Sequence, residues 1–330
     1  MRSETWFCTA ALVLALSAPA FAQTASPRLL PSAAAAYGEY QSEVSSIQST
    51  PFKGAAELDK ALNTFGAQNA DQLSSGWISY SAMVAAQDKE FAAAVRDIDS
   101  YYGRDRVMTG MRNDIGYART LKGGENALQN ALAVNSKDAA RINSAAAFVK
   151  KQAYDLQNVA WGKARMPDAK GAATKLKASA KTVKPVTDAA QKLFAGPDLN
   201  LVLASAQGQS QNASVWDKIS VFTASAPAAA LSTLTPGSNS SSALKVDPKR
   251  EGTANRIVTL AAFHVLEADS TNKNDVQAAM KDKSTFECID WSQLQLQACV
   301  SAAYTRADLS FCLAEHAIGD AGQCFSGVSK

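Results

Sequence analysis

The feature that most constrains the fold is a group of four cysteines near the C-terminus: Cys288, Cys299, Cys312 and Cys324. They divide a segment of helix-forming composition at intervals too long for a compact metal-binding loop. Any fold of this region therefore has to bring cysteines that are distant in sequence close together. The remaining cysteine, Cys8, lies near the N-terminus.

Two helices are predicted within the cysteine segment. Asp290 has the position and capping-box spacing of an N-cap, and it predicts a helix over 291–304. Thr305 begins a second signal of the Ser/Thr-x-x-Asp/Glu type, and it predicts a shorter helix that Gly319 and Gly322 end. Because the connection is short, the two helices are expected to form an antiparallel hairpin.

The geometry of this hairpin favours one of the three ways in which four cysteines can pair. Cys288 and Cys299 would lie on one face of a helix, roughly 16 Å apart. A disulfide needs Cα atoms within about 7 Å of each other, so a bond between these two is excluded. In an antiparallel hairpin Cys299 faces Cys312 and Cys288 faces Cys324. The sequence therefore predicts two nested disulfides, Cys299–Cys312 and Cys288–Cys324.

The alternative reading of four cysteines is a zinc site, but such sites use closely spaced Cys-x2-4-Cys pairs, which this segment lacks. The spacing resembles the twin Cys-x(n)-Cys helical hairpins of the coiled-coil–helix class. Here ten residues separate the first two cysteines and eleven separate the last two, which is longer than in that class. The resemblance covers only the hairpin and implies its geometry, not a function.

The N-terminus predicts export. Arg2 precedes an apolar run over 6–16, and an Ala-x-Ala site follows at Ala22. This is the pattern of a secretory signal peptide cleaved after Ala22. Cys8 lacks the context of a bacterial lipoprotein site, so no lipid anchor is expected. Export and an even number of remaining cysteines together predict an oxidising compartment, the bacterial periplasm or the exterior.

Composition and periodicity predict an all-α fold: a helical bundle followed by a disulfide-stapled antiparallel helical hairpin at the C-terminus. Alanine is abundant, aromatic residues make up 8% of the chain, and apolar residues recur at helical spacing. We expect a signal peptide at 1–22, a helical bundle domain at 23–234, a Ser/Pro/Gly-rich linker at 235–252 and the stapled tail at 253–330.

The bundle shows three clear apolar stripes. The first is expected to form core on one long helix or on two helices broken near Asp88, and it comprises Leu73, Trp77, Tyr80, Val84, Phe91, Val95, Ile98 and Tyr102. The second follows a predicted N-cap at Ser136. The third begins at Asp168 and is kinked or split by Pro185. The last two stripes are predicted to pack as an antiparallel pair.

Several function classes find no support. The net charge is +3, which does not predict nucleic-acid binding. No apolar run after the signal peptide reaches the length of a membrane helix. Nucleotide-binding loops, serine-hydrolase elbows and His-Glu-x-x-His motifs are absent from the sequence. We expect no cofactor and no catalytic site.

Two histidines remain after removal of the signal peptide. His264 and Glu267 are three residues apart and could supply two ligands of a metal site, but no partner helix with further ligands is identifiable. A core or boundary histidine is the favoured interpretation. His316 is expected to interact with the C-terminal end of its helix. The sequence therefore predicts no metal site.

One region is strongly basic. Lys170, Lys177, Lys181 and Lys184 fall on roughly one face of a predicted helix. Outside the cytoplasm such a face would suit an anionic polymer, lipopolysaccharide or lipid head groups. A solvated helix face is the alternative interpretation, and the sequence leaves both open.

The leading hypothesis is an exported, non-catalytic structural or protein-interaction protein of the cell envelope. One alternative is a periplasmic binding protein for an anionic envelope polymer or for an apolar ligand, with Trp77 or Trp161 lining the cavity. A cell-wall glycosidase using acids such as Glu251 or Glu267 is a third hypothesis. The sequence does not set the oligomeric state.

Overall fold

A computed structural model describes residues 28–48, 50–195, 199, 203 and 243–329. This part of the chain is helical throughout and contains no β-strand, only isolated bridges between Arg165 and Thr305 and between Val246 and Ser329. The predicted all-α fold is confirmed. The predicted signal peptide and its cleavage site at Ala22 lie outside the described residues.

The N-terminal part of the bundle consists of helices connected by short turns. Their bounds are α1 Leu29–Ile47, α2 Ala55–Gly66, α3 Ala70–Ala85, α4 Lys89–Tyr102, α5 Arg104–Asn113, a 3-10 helix Tyr117–Thr120, α6 Gly124–Leu156, α7 Ala160–Lys163, α8 Ala169–Ala180 and α9 Asp188–Ala195.

The C-terminal part begins with a 3-10 helix and ends with a long helical hairpin. Its elements are the 3-10 helix Pro248–Arg250, α10 Glu251–Val265, α11 Ala268–Thr271, α12 Lys273–Met280, α13 Lys283–Ala302, α14 Arg306–Cys312, a π-helix Leu313–Asp320 and α15 Ala321–Ser326.

Short polar side chains set several helix starts, as their sequence positions indicate. The side chain of Asp88 accepts a hydrogen bond from the backbone N–H of Phe91, so the first apolar stripe is divided into α3 and α4 at the predicted place. Asp168 caps α8 in the same way. Pro185 lies in the segment that separates α8 from α9. The stripe of α4 is buried at Phe91 and Val95 and half-buried at Ile98, but Tyr102 at its end is 51% exposed.

Two predictions about the second and third stripes are wrong. Ser136 does not cap a helix, because α6 runs through it without a break. A serine disfavours a helix interior only slightly, and the buried residues Leu132 and Ile142 on either side hold the helix against its neighbours. Helix α8 does not pair with α6; it packs mainly on α13, where Leu176 approaches Leu296 beside α2.

The hairpin begins earlier than predicted. Helix α13 is capped by Asp282, not by Asp290, which lies inside the helix. The carboxylate of Asp282 is buried and accepts hydrogen bonds from the backbone N–H of Thr285 and from the hydroxyl of Thr253. This contact with α10 fixes the start of α13 and extends the helix by two turns. The capping box of Thr305 and Asp308 is present as predicted.

Gly319 and Gly322 do not end the second helix of the hairpin. The chain continues through the π-helix into α15. A Cβ atom on Gly322 would lie 2.6 Å from Asn143 Oδ1 and 3.0 Å from Ile142 Cγ2. The glycine is therefore required for close packing of the hairpin on α6, not for a helix end.

The two nested disulfides are formed as predicted. Cys288 pairs with Cys324, and Cys299 pairs with Cys312, with a Cα–Cα distance of 5.6 Å in both. The first bond joins α13 to α15 and the second joins α13 to α14. Both disulfides therefore hold the same helix, α13, against the returning half of the hairpin.

The hairpin shares its core with the bundle. The ring of Phe325 in α15 stacks on Trp77 of α3, with centroids 5.8 Å apart, and meets Tyr37 and Tyr40 of α1 edge-on at 5.3 and 5.9 Å. Helices α1 and α3 approach so closely that a Cβ on Gly76 would lie 2.9 Å from the carbonyl oxygen of Ala33. The aromatic cluster thus ties the end of the chain to its first helices.

The predicted linker at 235–252 is described only from residue 243 onwards. In that part the N–H of Asp247 donates to the carbonyl oxygen of Val328, and a 3-10 helix leads into α10 at Glu251. The helical structure therefore starts before the predicted end of the linker. The division into a bundle domain and a tail domain stays a prediction.

Replacing Phe325 with alanine tests the shared core. Removal of a fully buried ring is expected to lower the free energy of unfolding by about 3–5 kcal/mol, measured by urea denaturation. Tyr101→Ala is the control, because Tyr101 is 81% exposed and its loss should change stability by no more than about 0.5 kcal/mol. A loss below about 1 kcal/mol for Phe325→Ala would show that the tail does not depend on this contact.

Candidate functional site

The outer face of α13 carries an apolar ridge, defined here as Trp291, Leu294, Ala298 and Ala302. All four are exposed: Trp291 has 62% and Leu294 has 44% of its surface in contact with solvent. Their spacing of three, four and four residues places them along one line on the helix. The line is about 17 Å long from first to last residue.

The ridge is opposite a second apolar face of the same helix. Ile289, Leu296 and Val300 are fully buried against the core. A helix at the surface of a soluble protein ordinarily has one apolar side, whereas a helix that is apolar all round is ordinarily buried. Helix α13 therefore has apolar residues on two sides, and among the described residues only the side of Ile289, Leu296 and Val300 is covered.

The two disulfides hold the ridge in place. Cys288 and Cys299 are half-buried and lie on α13 between the core face and the outer face. One bond fixes the helix before Trp291 and the other fixes it beside Ala298. The ridge is thus presented by a rigid helix, which reduces the entropy lost when another surface packs against it.

The two ends of the ridge differ in charge. Glu287 and Asp290 lie beside Trp291 at the N-terminal end, and Glu287 also pairs with Lys283 at 3.5 Å. At the other end Tyr304 is 63% exposed, and the guanidinium carbon of Arg165 lies 5.3 Å from the centre of its ring. One end of the ridge is therefore acidic, and the other has a cation on an exposed aromatic ring.

Of the four lysines predicted to share a face, Lys184 differs from the other three. Lys170, Lys177 and Lys181 are exposed on or next to α8 and form no ion pair within the described residues. Lys184 is half-buried, and its ammonium group donates to the carbonyl oxygen of Thr64 at 2.8 Å. Its role is thus to hold the segment after α8 against the end of α2.

Lys184 lies in a small cleft with two carboxylates that the sequence analysis did not single out. Glu39 and Glu43 are one turn apart on α1, and Gln68 donates to Glu43 at 2.9 Å. The pKa of Glu43 is raised to about 7, mainly by burial and in part by the charge of Glu39, while Lys184 and the Gln68 hydrogen bond oppose the rise. Burial lowers the pKa of Lys184.

This cleft is too small for a substrate. Its volume is about 30 Å³, and its lining includes the buried hydroxyl of Tyr40, which has no partner among the described residues. That volume suits one water molecule, whereas ligand pockets typically occupy about 300–1,000 Å³. A carboxylic acid with a pKa near 7 could act as a general acid, but here no sugar ring could reach it.

A buried polar network lies deeper, between α1, α3 and α6. The Tyr37 hydroxyl donates to Asp138 at 3.3 Å, and Arg141 donates to the side chains of Gln41 and Ser45. Burial, with Asp138 adding to it, raises the pKa of Tyr37. Most of these groups are closed off from solvent, so the network stabilises the packing of three helices and offers no access to a ligand.

The structure does not support a metal site at His264. Its ring nitrogen faces Arg28 at 3.2 Å and the buried carboxylate of Asp269 at 3.5 Å. Glu267 lies beyond the end of α10, where its backbone has a left-handed φ of 55°. In the described part of the chain no cluster of three or more His, Cys, Asp or Glu residues could hold a metal. His316 contacts Asp320 at 2.9 Å within the π-helix.

The acids considered for a glycosidase are far apart. Glu251 and Glu267 lie at opposite ends of α10, roughly 24 Å from each other, whereas paired catalytic carboxylates are separated by about 5–9.5 Å. Glu251 is bound by Arg119. These two residues therefore do not form a catalytic pair.

The tryptophans proposed to line a ligand cavity pack in the interior instead. Trp77 is fully buried and Trp161 packs against the core. Two surface clefts lie elsewhere. One, of about 340 Å³, is lined mainly by charged and hydroxyl groups at the end of α10. The other, of about 240 Å³, lies between α1 and α2 and includes Phe52 and Phe65.

Comparisons with protein families, curated proteins and solved structures find no match to this chain. Within the described residues no helix has the length and apolar character needed to cross a membrane. The two disulfides indicate an oxidising, extracytoplasmic environment.

The pH dependence of stability tests the Glu43 cleft. Because the folded protein raises the pKa of Glu43 from 4.5 to about 7, the folded state binds this proton more tightly than the unfolded state. The contribution of Glu43 to the free energy of unfolding therefore falls as the pH rises from 4.5 to about 7, and it stays constant at higher pH. Glu43→Gln should remove this loss and be on the order of 1–3 kcal/mol more stable than the wild type near pH 8.

Urea denaturation at pH values from about 4.5 to 8 measures the effect. Glu287→Gln is the matched control, since it makes the same chemical change at an exposed position of α13 that does not contribute to the pKa of Glu43. An unchanged pH slope in the Glu43→Gln variant would contradict the proposed burial of this carboxyl group.

Proposed function

We propose that this is an exported, non-catalytic protein of the bacterial cell envelope that binds another protein through the apolar ridge of α13. The ridge is the single observation that carries the proposal. Exposed, contiguous apolar surfaces on soluble proteins mark interaction sites, and tryptophan is enriched among the residues that dominate binding energy. Trp291 is the most exposed tryptophan among the described residues.

The expected location of the protein in the cell supports the same proposal. The signal peptide predicted by the sequence and the two disulfides agree on a compartment outside the cytoplasm. The disulfides are also placed where they serve binding, since both fix the helix that carries Trp291 and Leu294. A surface fixed before contact loses less conformational entropy on binding than a flexible one.

Site-specific photo-crosslinking in intact envelopes tests this function. A photoreactive amino acid at position 294 is expected to give a discrete crosslinked species, because Leu294 lies at the middle of the ridge. The control places the same amino acid at Tyr101, which is 81% exposed on α4 and remote from the ridge in sequence. Identical products from both positions, or no product from position 294, would count against the proposal.

A second candidate function is binding of an anionic envelope polymer. The observation that favours it is the set of exposed lysines on the α8 side, Lys170, Lys177 and Lys181, which have no acidic partner within the described residues. Clustered cations of this kind attract polyanions in a salt-dependent manner.

Co-sedimentation with lipopolysaccharide at low and high salt tests this candidate. The triple variant with Gln at 170, 177 and 181 should lose most of the low-salt binding. Lys184→Gln is the matched control and should retain it, because the Lys184 ammonium group is already bound to Thr64. If the triple variant bound as strongly as the wild type, the three lysines would be an ordinary solvated surface and not a binding site.

A further inference from the structure

We infer that the ridge of α13 pairs with the same ridge on a second copy of this chain, with the two helices antiparallel. This inference rests on the proposed interaction function and names its partner. It follows from two properties of the ridge: the order of large and small residues along it, and the charge at each end.

The large and the small residues of the ridge lie in different halves. Trp291 and Leu294 occupy the N-terminal half, and Ala298 and Ala302 occupy the C-terminal half. In an antiparallel pair with its two-fold axis near residue 296, Trp291 of each copy lies opposite Ala302 of the other, and Leu294 lies opposite Ala298. Each large side chain thus meets a small one, which allows helices to pack closely.

A parallel arrangement lacks this fit. It would place Trp291 against Trp291 and Ala302 against Ala302, so that the helices would be held apart at one end and leave a gap at the other. The two-fold antiparallel arrangement also uses the same patch on both copies, as the commonest type of homodimer does.

The charges agree with the antiparallel arrangement. Glu287 and Asp290 at the N-terminal end would lie opposite residues 302–306 of the second copy. Arg165 is located there: it is paired with the backbone of Thr305, lies over the Tyr304 ring, and has no ion pair within the described residues. Glu287 is shared with Lys283, and the Asp308 carboxylate is occupied by the backbone N–H groups of Tyr304 and Thr305. The antiparallel pair therefore brings Asp290 towards Arg165 twice, whereas a parallel pair would bring Asp290 of one copy towards Asp290 of the other.

The same acidic end argues against the alternative that the ridge rests on a lipid surface. Anionic head groups would repel Glu287 and Asp290 where Trp291 would have to enter.

The ridge is short compared with the surfaces of permanent dimers, which bury about 800 Å² per partner or more. We therefore expect a reversible dimer with a dissociation constant in the micromolar range.

Sedimentation velocity on the full exported chain tests dimer formation. The wild type should shift from monomer to dimer as its concentration rises. Leu294→Lys should weaken the dimer by at least about 30-fold, the effect of losing a central interface residue, while its circular dichroism stays unchanged. Tyr101→Lys, a change of the same kind at an exposed position of α4, should dimerise as the wild type does.

The arrangement of the two copies can be tested by disulfide trapping. Oxidation of a mixture of Trp291→Cys and Ala302→Cys proteins should give the mixed dimer in preference to either self-linked dimer, since only opposed residues come within about 7 Å. Preferential self-linking of the Trp291→Cys protein would overturn the antiparallel register.

The failure of this inference is distinguishable from failure of the proposed function. A wild-type chain that stays monomeric up to about millimolar concentration would overturn the dimer. If photo-crosslinking at position 294 then still captured a different protein, the ridge would remain a binding surface with another partner. Capture of lipid alone would overturn both.

Discussion

The structure depends on the contact that Phe325 makes with the aromatic residues of α1 and α3. This ring comes from the last helix of the chain, yet it lies between Trp77, Tyr37 and Tyr40 in the centre of the bundle. Cys324, its neighbour in sequence, is bonded to α13. The aromatic contact and the disulfide therefore act on adjacent residues, and together they fix α13 relative to the first helices of the protein.

This arrangement explains how α13 can expose one apolar side. A helix with apolar residues on two sides would ordinarily turn or shift to bury as much of them as it can. Here Cys288 and Cys299 determine which side faces the core, because their partners lie on α14 and α15. The covalent bonds thus favour one rotation of the helix, and the uncovered side remains available to another surface.

The disulfides and the helical fold could be predicted because each rests on a local rule. The pairing follows from the rise of a helix and the length of a disulfide, and the capping signals of Asp168 and Thr305 act within four residues. The start of α13 could not be predicted in this way. It is set by Asp282, whose buried carboxylate binds Thr253 on another helix, and this contact between distant residues leaves no local pattern.

The candidate sites also combine features that a local sequence pattern predicts with features that contacts between distant residues determine. The spacing of Trp291, Leu294, Ala298 and Ala302 was present in the sequence, but a helical stripe ordinarily indicates core. Only the position of the disulfides on α13 reveals that this stripe faces outwards. The basic face was predicted from a helix that continues as far as Pro185, whereas α8 ends at Ala180 and the segment before Pro185 turns Lys184 inwards, towards Thr64 and Glu43.

The distribution of polar groups gives the final reason to favour binding over catalysis. Catalysis needs titratable groups that a substrate can reach. In the described part of the chain, Tyr37 lies in a closed network and Glu43 lines a cleft of about 30 Å³. The larger open cleft at the end of α10 carries Glu267 and Asp99, and Asp99 is held by Arg104. On α13, by contrast, the large apolar side chains of Trp291 and Leu294 are exposed to solvent. Covering them by another surface would remove apolar area from water, which is the driving force for the proposed binding.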